Sequence, residues 1–242
     1  MKKTMQTQAK SKGIEVREGR TYLDVSHLNG KISFVYPAKG PNTYVEVAKE
    51  LEQDNLSQPT MSHNASLIHA AWQNPKEKYS KEVIDILRNN WLWCYNGILY
   101  VPNEGAYIQD APEIKNGRVV MDKSELLKKL EANDSSVRFV PFGYKIGEQS
   151  IKELERNAFI IGLVGEEGAE KLAEVSGNYK LKPHLFSFDS VDELKTRVAS
   201  LVDSRNWGEH RFIVDGDYLV DDRGRHAFGV FNKTGEASPQ KN

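Results

Sequence analysis

Apolar and polar positions change period many times along this chain, and each change predicts an element. Residues 14–25 alternate as a β-hairpin does, with Glu18-Gly19 at the turn and Tyr22, Leu23 and Val25 on the return strand. Ile32–Tyr36 predicts a further strand, broken by Pro37, Gly40 and Pro41. Helical spacing then takes over: Asn42 or Thr43 is placed to cap a helix whose apolar stripe is Val45, Val47, Ala48 and Leu51. A second helix is predicted over Met61–Gln73, with Ala65, Leu67, Ile68 and Trp72 for burial, and Asn74-Pro75 to stop it. Ser80 opens a third, with Val83, Ile84 and Leu87 on one face. In WLWCYNGILYVP, aromatic and β-branched residues flank Asn96-Gly97, a pair that tolerates positive φ, so a tight hairpin is expected there.

The second half continues the mixture. Short strands are predicted at Ala106–Gln109, Arg118–Met121 and Val137–Phe142. Asp122 with Glu125, Ser150 with Glu153, and Ser190 with Glu193 have capping-box spacing and each predicts a helix start. The first of these helices would turn Leu126, Leu127 and Leu130 inward, and the last Leu194, Val198 and Leu201. Between them, Phe159–Val164 predicts an apolar strand, Glu166–Val175 a helix ending at Gly177 as C′ residue, and Leu185–Phe188 a strand. Phe212–Val214 and Ala227–Phe231 are expected to be buried strands. Helices and short strands without regular βαβ alternation point to an α+β fold. No internal repeat is present, and a weak candidate boundary falls at Asn133–Ser136.

Composition narrows the function classes. The chain has 242 residues, 39% hydrophobic and 28% charged, enough for a sizeable core in a globular protein. A net charge of -1 gives no bulk attraction to nucleic acid or to an acidic membrane, so neither is expected as a partner. Apolar runs fall short of a membrane span. The basic stretch 1–13 lacks an apolar core and is expected to be a flexible leader rather than a secretory signal, with 233–242 a flexible tail around a single domain over 14–232. A cytoplasmic or virion-associated location follows. The single cysteine, Cys94, lies in an apolar run and is expected to be buried and inert.

Phosphate-binding motifs are absent: Gly165-Glu166-Glu167-Gly168 sits at a helix start, but its acids suit the helix dipole and would repel phosphate. His63 and His69 lack the spacing of a helical zinc pair. The unusual stretch is 204–226. Asn206, Trp207, Glu209, His210, Asp217, Tyr218, Leu219, Val220, Asp221, Asp222, Arg223, Arg225 and His226 crowd between and before two apolar runs. Aromatic, acidic and basic side chains of this kind dominate recognition surfaces, so these are the candidate ligand-binding residues. Phe212, Ile213, Val214, Phe228 and Val230 would hold that surface from beneath. The alternative is a metal-dependent hydrolase built on Asp215, Asp217, Asp221, Asp222 and His226, although the spacing does not fit a calcium loop and Asp215-Gly216 is explained as a turn.

The segments FIVDG and AFGV around the polar loop, with WLWCYNGILYVPNEGAYIQD, FVPFGY and GLVGEEGAEKLAEVS upstream, resemble the variable proteins of diversity-generating retroelements, in particular those of archaea and archaeal viruses. The resemblance runs from about Ile14 over most of the chain. It implies a C-type lectin-like fold, with helices packed on a twisted, mostly antiparallel sheet, carrying a hypervariable ligand-binding surface over about 204–226. It implies no catalysis and no cofactor, and a macromolecular or cell-surface ligand. Variation in this family comes from adenine-directed mutagenic reverse transcription. The residue types from Asp217 to His226 are all reachable from an asparagine codon, whereas Trp207 and Glu209 are not. The paired cysteines and the calcium-dependent sugar motif of ordinary C-type lectins are missing.

Overall fold

The computed structural model describes residues 15–17, 21–204 and 210–231. The expected leader and tail, and the turn at Glu18-Gly19, lie outside the described residues. β1 (Glu15–Arg17), β2 (Tyr22–His27) and β3 (Gly30–Val35) run antiparallel, with Val16 opposite Leu23 and Leu23 opposite Phe34. β4 (Lys39–Asn42) leads into α1 (Tyr44–Gln53), where the Thr43 side chain accepts the Glu46 N–H as predicted. α2 (Met61–Gln73) spans the predicted residues. Its cap is reciprocal: Thr60 Oγ1 accepts the His63 N–H, and His63 Nδ1 accepts the Thr60 N–H at 3.1 Å. A neutral imidazole thus fills the place a Glu or Gln usually takes. α3 (Lys78–Asn89) begins ahead of Ser80, which is buried inside it.

The predicted hairpin at Asn96-Gly97 is not formed. β5 (Leu92–Val101) passes straight through both residues and is buried along its whole length. Each turn residue has a better use. The buried Asn96 side chain accepts the Met61 N–H at 2.7 Å and donates to Asp110 at 2.6 Å, and Gly97 fits where Met121 and Pro112 leave no room for a Cβ. β5 pairs with β6 (Gly105–Asp110), and Asn96 and Gly97 stand opposite Asp110 and Gln109 in that ladder. Short β7 (Ile114–Lys115) and β8 (Arg118–Val119) form a separate ribbon. α4 (Lys123–Glu131) is capped by Asp122; Leu126 is buried, but Leu127 is turned out to solvent. Asn133–Ser136 is the turn into β9 (Val137–Pro141), which pairs with β6. After β10 (Gly147–Glu148), α5 (Ile151–Arg156) has the full capping box of Ser150 and Glu153.

Three further expectations fail. Phe159–Val164 is helical, the first part of α6 (Ala158–Ser176), and only Gly165, at φ 73° and ψ 172°, interrupts that helix before the predicted Glu166–Val175 segment. Gly177 caps it in right-handed conformation, at φ -64°, rather than as a left-handed C′ residue. A short apolar run has no decisive period, and burial on α2 and α5 selects helix here. Conversely, the helix expected to start at Ser190 is absent. After β11 (His184–Phe186) the chain forms β12 (Lys195–Ser204), buried from Val198 onward. β12 lies between β5 and β13 (Arg211–Tyr218), so both its edges are paired. Val198, Ala199, Leu201 and Val202 supply the apolar positions of this central strand, and Ser200, Asp203 and Ser204 are buried with them. The final apolar run divides into β14 (Arg225–Ala227), beside β4 and β5, and β15 (Val230–Phe231), which joins β3 in the first sheet.

The fold is therefore α+β, with six helices and antiparallel and mixed sheets among the described residues. α2 packs between α6, α3 and β2, and α3 lies on β12. Cys94 is buried in β5, and burial pushes its thiol up to about 12. No helix among the described residues is long and apolar enough to cross a membrane.

Candidate ligand-binding surface

The end of β13 and the turn to β14 carry the predicted surface. Phe212, Ile213 and Val214 point the strand into the core, as do Phe228 and Val230 after the turn, and all five are buried as expected. At the end of β13 burial ceases. Asp217 and Tyr218 are half-buried, Leu219, Asp221 and Arg223 are exposed, and Val220, Asp222 and His226 lie between. Two backbone bonds pin the turn to the frame: the Tyr44 N–H donates to Val220 O at 3.2 Å, and the His226 N–H to Trp91 O at 3.1 Å. An open depression of about 430 Å³ is lined by Asp217, Tyr218, Leu219, Asp221 and Asp222.

Arg225 departs from the expected exposed contact residue. It is 1% exposed. Its guanidinium carbon stands 3.6 Å from the Tyr218 ring centre, 4.4 Å from Trp91 and 4.6 Å from Trp93, while Nη1 meets Asp222 at 3.0 Å. A weakly hydrated, planar cation can be buried against aromatic faces in this way, where a lysine ammonium would keep its water. Trp93 is held in turn by Tyr44, edge-to-face at 5.3 Å, and by donation from Nε1 to Asn42 O at 3.1 Å. The cage therefore ties the turn to β4, α1 and β5. In the sequence Trp91 and Trp93 stand among the aromatics that flank Asn96-Gly97, and nothing in their spacing marks them as partners of a cation more than a hundred residues away.

The surface electrostatics follow from burial and from Arg225. Burial works against ionisation of Asp222, but hydrogen bonds from Tyr218 and Arg225 hold its carboxyl below the usual range. Burial, then the neighbouring Asp222, pushes the Tyr218 phenol up to about 12. Burial and the adjacent Asp217 raise Asp215 well above an ordinary carboxyl. Asp215 also accepts the Asp217 N–H at 3.0 Å, but it does so inside β13, opposite Phe186 and Ser200, so the turn expected at Asp215-Gly216 is not formed. Burial lowers the His226 imidazole.

The remaining predicted residues do not join this cluster. His210 lies just before β13, with Nδ1 2.6 Å from the fully buried Asp203, which Arg88 also meets at 3.2 Å. Asn206, Trp207 and Glu209 lie outside the described residues. The residues of the hydrolase alternative have divergent engagements, Asp222 with Arg225 and Asp215, within β13, with the Asp217 N–H. Among the described residues no group of three or more His, Cys, Asp or Glu side chains is arranged to hold a metal ion.

The chain matches no protein-family model, no curated protein and no solved structure. The residues and their geometry alone bear on function.

Proposed function

We propose that this chain is a non-enzymatic binding protein that displays a variable set of side chains at 217–226 on a C-type lectin-like frame, diversified by a retroelement. The observation that carries the reading is a division of labour within one short turn. Leu219, Asp221 and Arg223 face solvent over an open depression, while Tyr218 and Arg225 lock the same turn to Trp91 and Trp93. Exposed side chains on a backbone fixed from beneath can change without loss of the frame, which is what a diversified surface demands. An apolar, an acidic and a basic side chain at the tip offer mixed contacts suited to a macromolecular or cell-surface ligand.

The test is the DNA flanking the coding segment. A nearby copy of its 3′ part that differs only at adenines, beside a reverse transcriptase gene, is the expected finding. A locus with neither removes the diversification half of the proposal.

A further inference from the structure

The short helix α5 carries two cations that nothing balances. Lys152 and Arg156 stand four residues apart, hence on one face, and both side chains are exposed. Neither meets a carboxylate or a hydrogen-bond acceptor among the described residues. Like charges at this spacing repel, so the pair works against the helix that holds it. The acid between them is already engaged. Glu153 accepts from Lys145 Nζ at 2.8 Å on one oxygen and from the Ser150 N–H at 2.6 Å on the other, as the capping box of α5 requires.

Lys152 and Arg156 line a cavity of about 510 Å³ together with Lys145, Glu153, Tyr144 and Ala158. Its wall thus has three cations against one anion, a local excess of positive charge on a chain whose net charge is -1. Lys145 and Ala158 are exposed as well, so the charged wall is open to a ligand. The floor is fixed: the buried Gln149 and Asn157 amides both donate to Lys145 O, at 3.1 and 2.7 Å. Tyr144 turns its hydroxyl inward to Phe188 O at 2.6 Å, so it offers the cavity ring carbon and no polar group. A planar fork and a point charge, as on Arg156 and Lys152, are the two ways side chains hold phosphate oxygens. A dianion would balance both cations, where a carboxylate would leave one unmet. The volume is that of a small-molecule site and leaves room beyond a phosphate group. We infer that this cavity binds a phosphomonoester of a small organic molecule, with the phosphate on Lys152 and Arg156 and the carbon skeleton over Tyr144 and Ala158. The cavity shares no residue with the depression on the 217–226 turn, so this inference stands apart from the reading of that turn.

The experiment is calorimetric titration of the full chain with phenyl phosphate, inorganic phosphate and benzoate, at constant ionic strength and a pH at which the phosphates are dianions. Saturable binding of phenyl phosphate with a Kd of about 1 mM or tighter is expected, with inorganic phosphate weaker and benzoate silent. Lys152→Gln and Arg156→Gln should each weaken phenyl phosphate about tenfold, the loss of one charge-assisted contact. Both positions are exposed, so both variants should keep the parent thermal transition. Lys128→Gln, an exposed cation on α4, should leave binding unchanged. No saturable response to phenyl phosphate overturns the site. An equal loss in Lys128→Gln overturns it too, since diffuse surface charge would then be the cause. Inorganic phosphate binding as tightly as phenyl phosphate overturns the organic part of the ligand. A short phosphoserine peptide binding more tightly than phenyl phosphate overturns the small-molecule source in favour of a modified protein.

Discussion

Gly97 shows at the scale of one residue how a strong local signal can mislead. The pair Asn96-Gly97 suits a tight turn, yet neither residue turns. Packing, rather than positive φ, demands the glycine: a Cβ there would lie 2.7 Å from Met121 Sδ and 3.0 Å from Pro112. Gly97→Ala should therefore destabilise by about 1–3 kcal/mol, the usual cost of overpacking. Met121→Ala in the same chain should recover part of that loss, as urea midpoints would show; a turn would give no such rescue. His63 makes a second prediction. Burial, then the neighbouring His27, lowers its imidazole from 6.5 to about 4. The rings of these two histidines are 5.0 Å apart, and Lys171 faces the same pair through Ser66. Because the folded state resists protonation, the unfolded chain binds the extra proton. Stability should thus fall as pH drops from 6.5 toward 4, by roughly 2–3 kcal/mol for this site, and level off below. His63→Gln keeps the reciprocal cap and should flatten that slope in denaturation measured across the window.

At the scale of elements, the caps at Thr43, Asp122 and Ser150 and the helical periods of α1, α2 and α3 hold, while two short apolar runs take the other period. Thr43, Asp122 and the Ser150–Glu153 box mark real helix starts, because a cap is a local bargain between one side chain and one turn. Phe159–Val164 and Val198–Leu201 were each read with the wrong period. Neither run has a decisive period, and what surrounds them decides their form: helices for the first, two neighbouring strands for the second. Ser190 and Glu193 have the capping spacing without a helix to cap, so spacing alone does not create one. Of the candidate surface, the exposed tip was legible from residue type. The burial of Arg225 was not, since it depends on Trp91 and Trp93 arriving from β5 and its approach. Gly165 divides α6 at a backbone angle that only glycine adopts cheaply, with no atom within 4 Å of a would-be Cβ. Gly165→Ala should cost about 1–3 kcal/mol from backbone strain alone, read as a lower urea midpoint with an unchanged m-value.

Taken whole, the molecule separates what can vary from what cannot. Replacing Leu219, Asp221 and Arg223 together by alanine should leave the calorimetric transition within about 2–4 °C of the parent, since exposed substitutions individually shift stability by tenths of a kcal/mol. Trp93→Ala, by contrast, opens a cavity under the Arg225 cage and should cost about 3–5 kcal/mol in the same measurement. A transition lost on changing the three tip residues would make them part of the frame. The position of β15 adds something of a different kind. Val230 and Phe231 complete the sheet begun by residues near the other end of the described chain, and Val230 exchanges backbone bonds with Ser57. The 217–226 turn is thus translated before the strand that closes the first sheet. An insertion or stop codon arising in the turn would garble or omit β14 and β15, so such a product would be left with an open sheet edge. Folding itself would then act as a proofreader, because only a turn that preserves the reading frame lets the first sheet close.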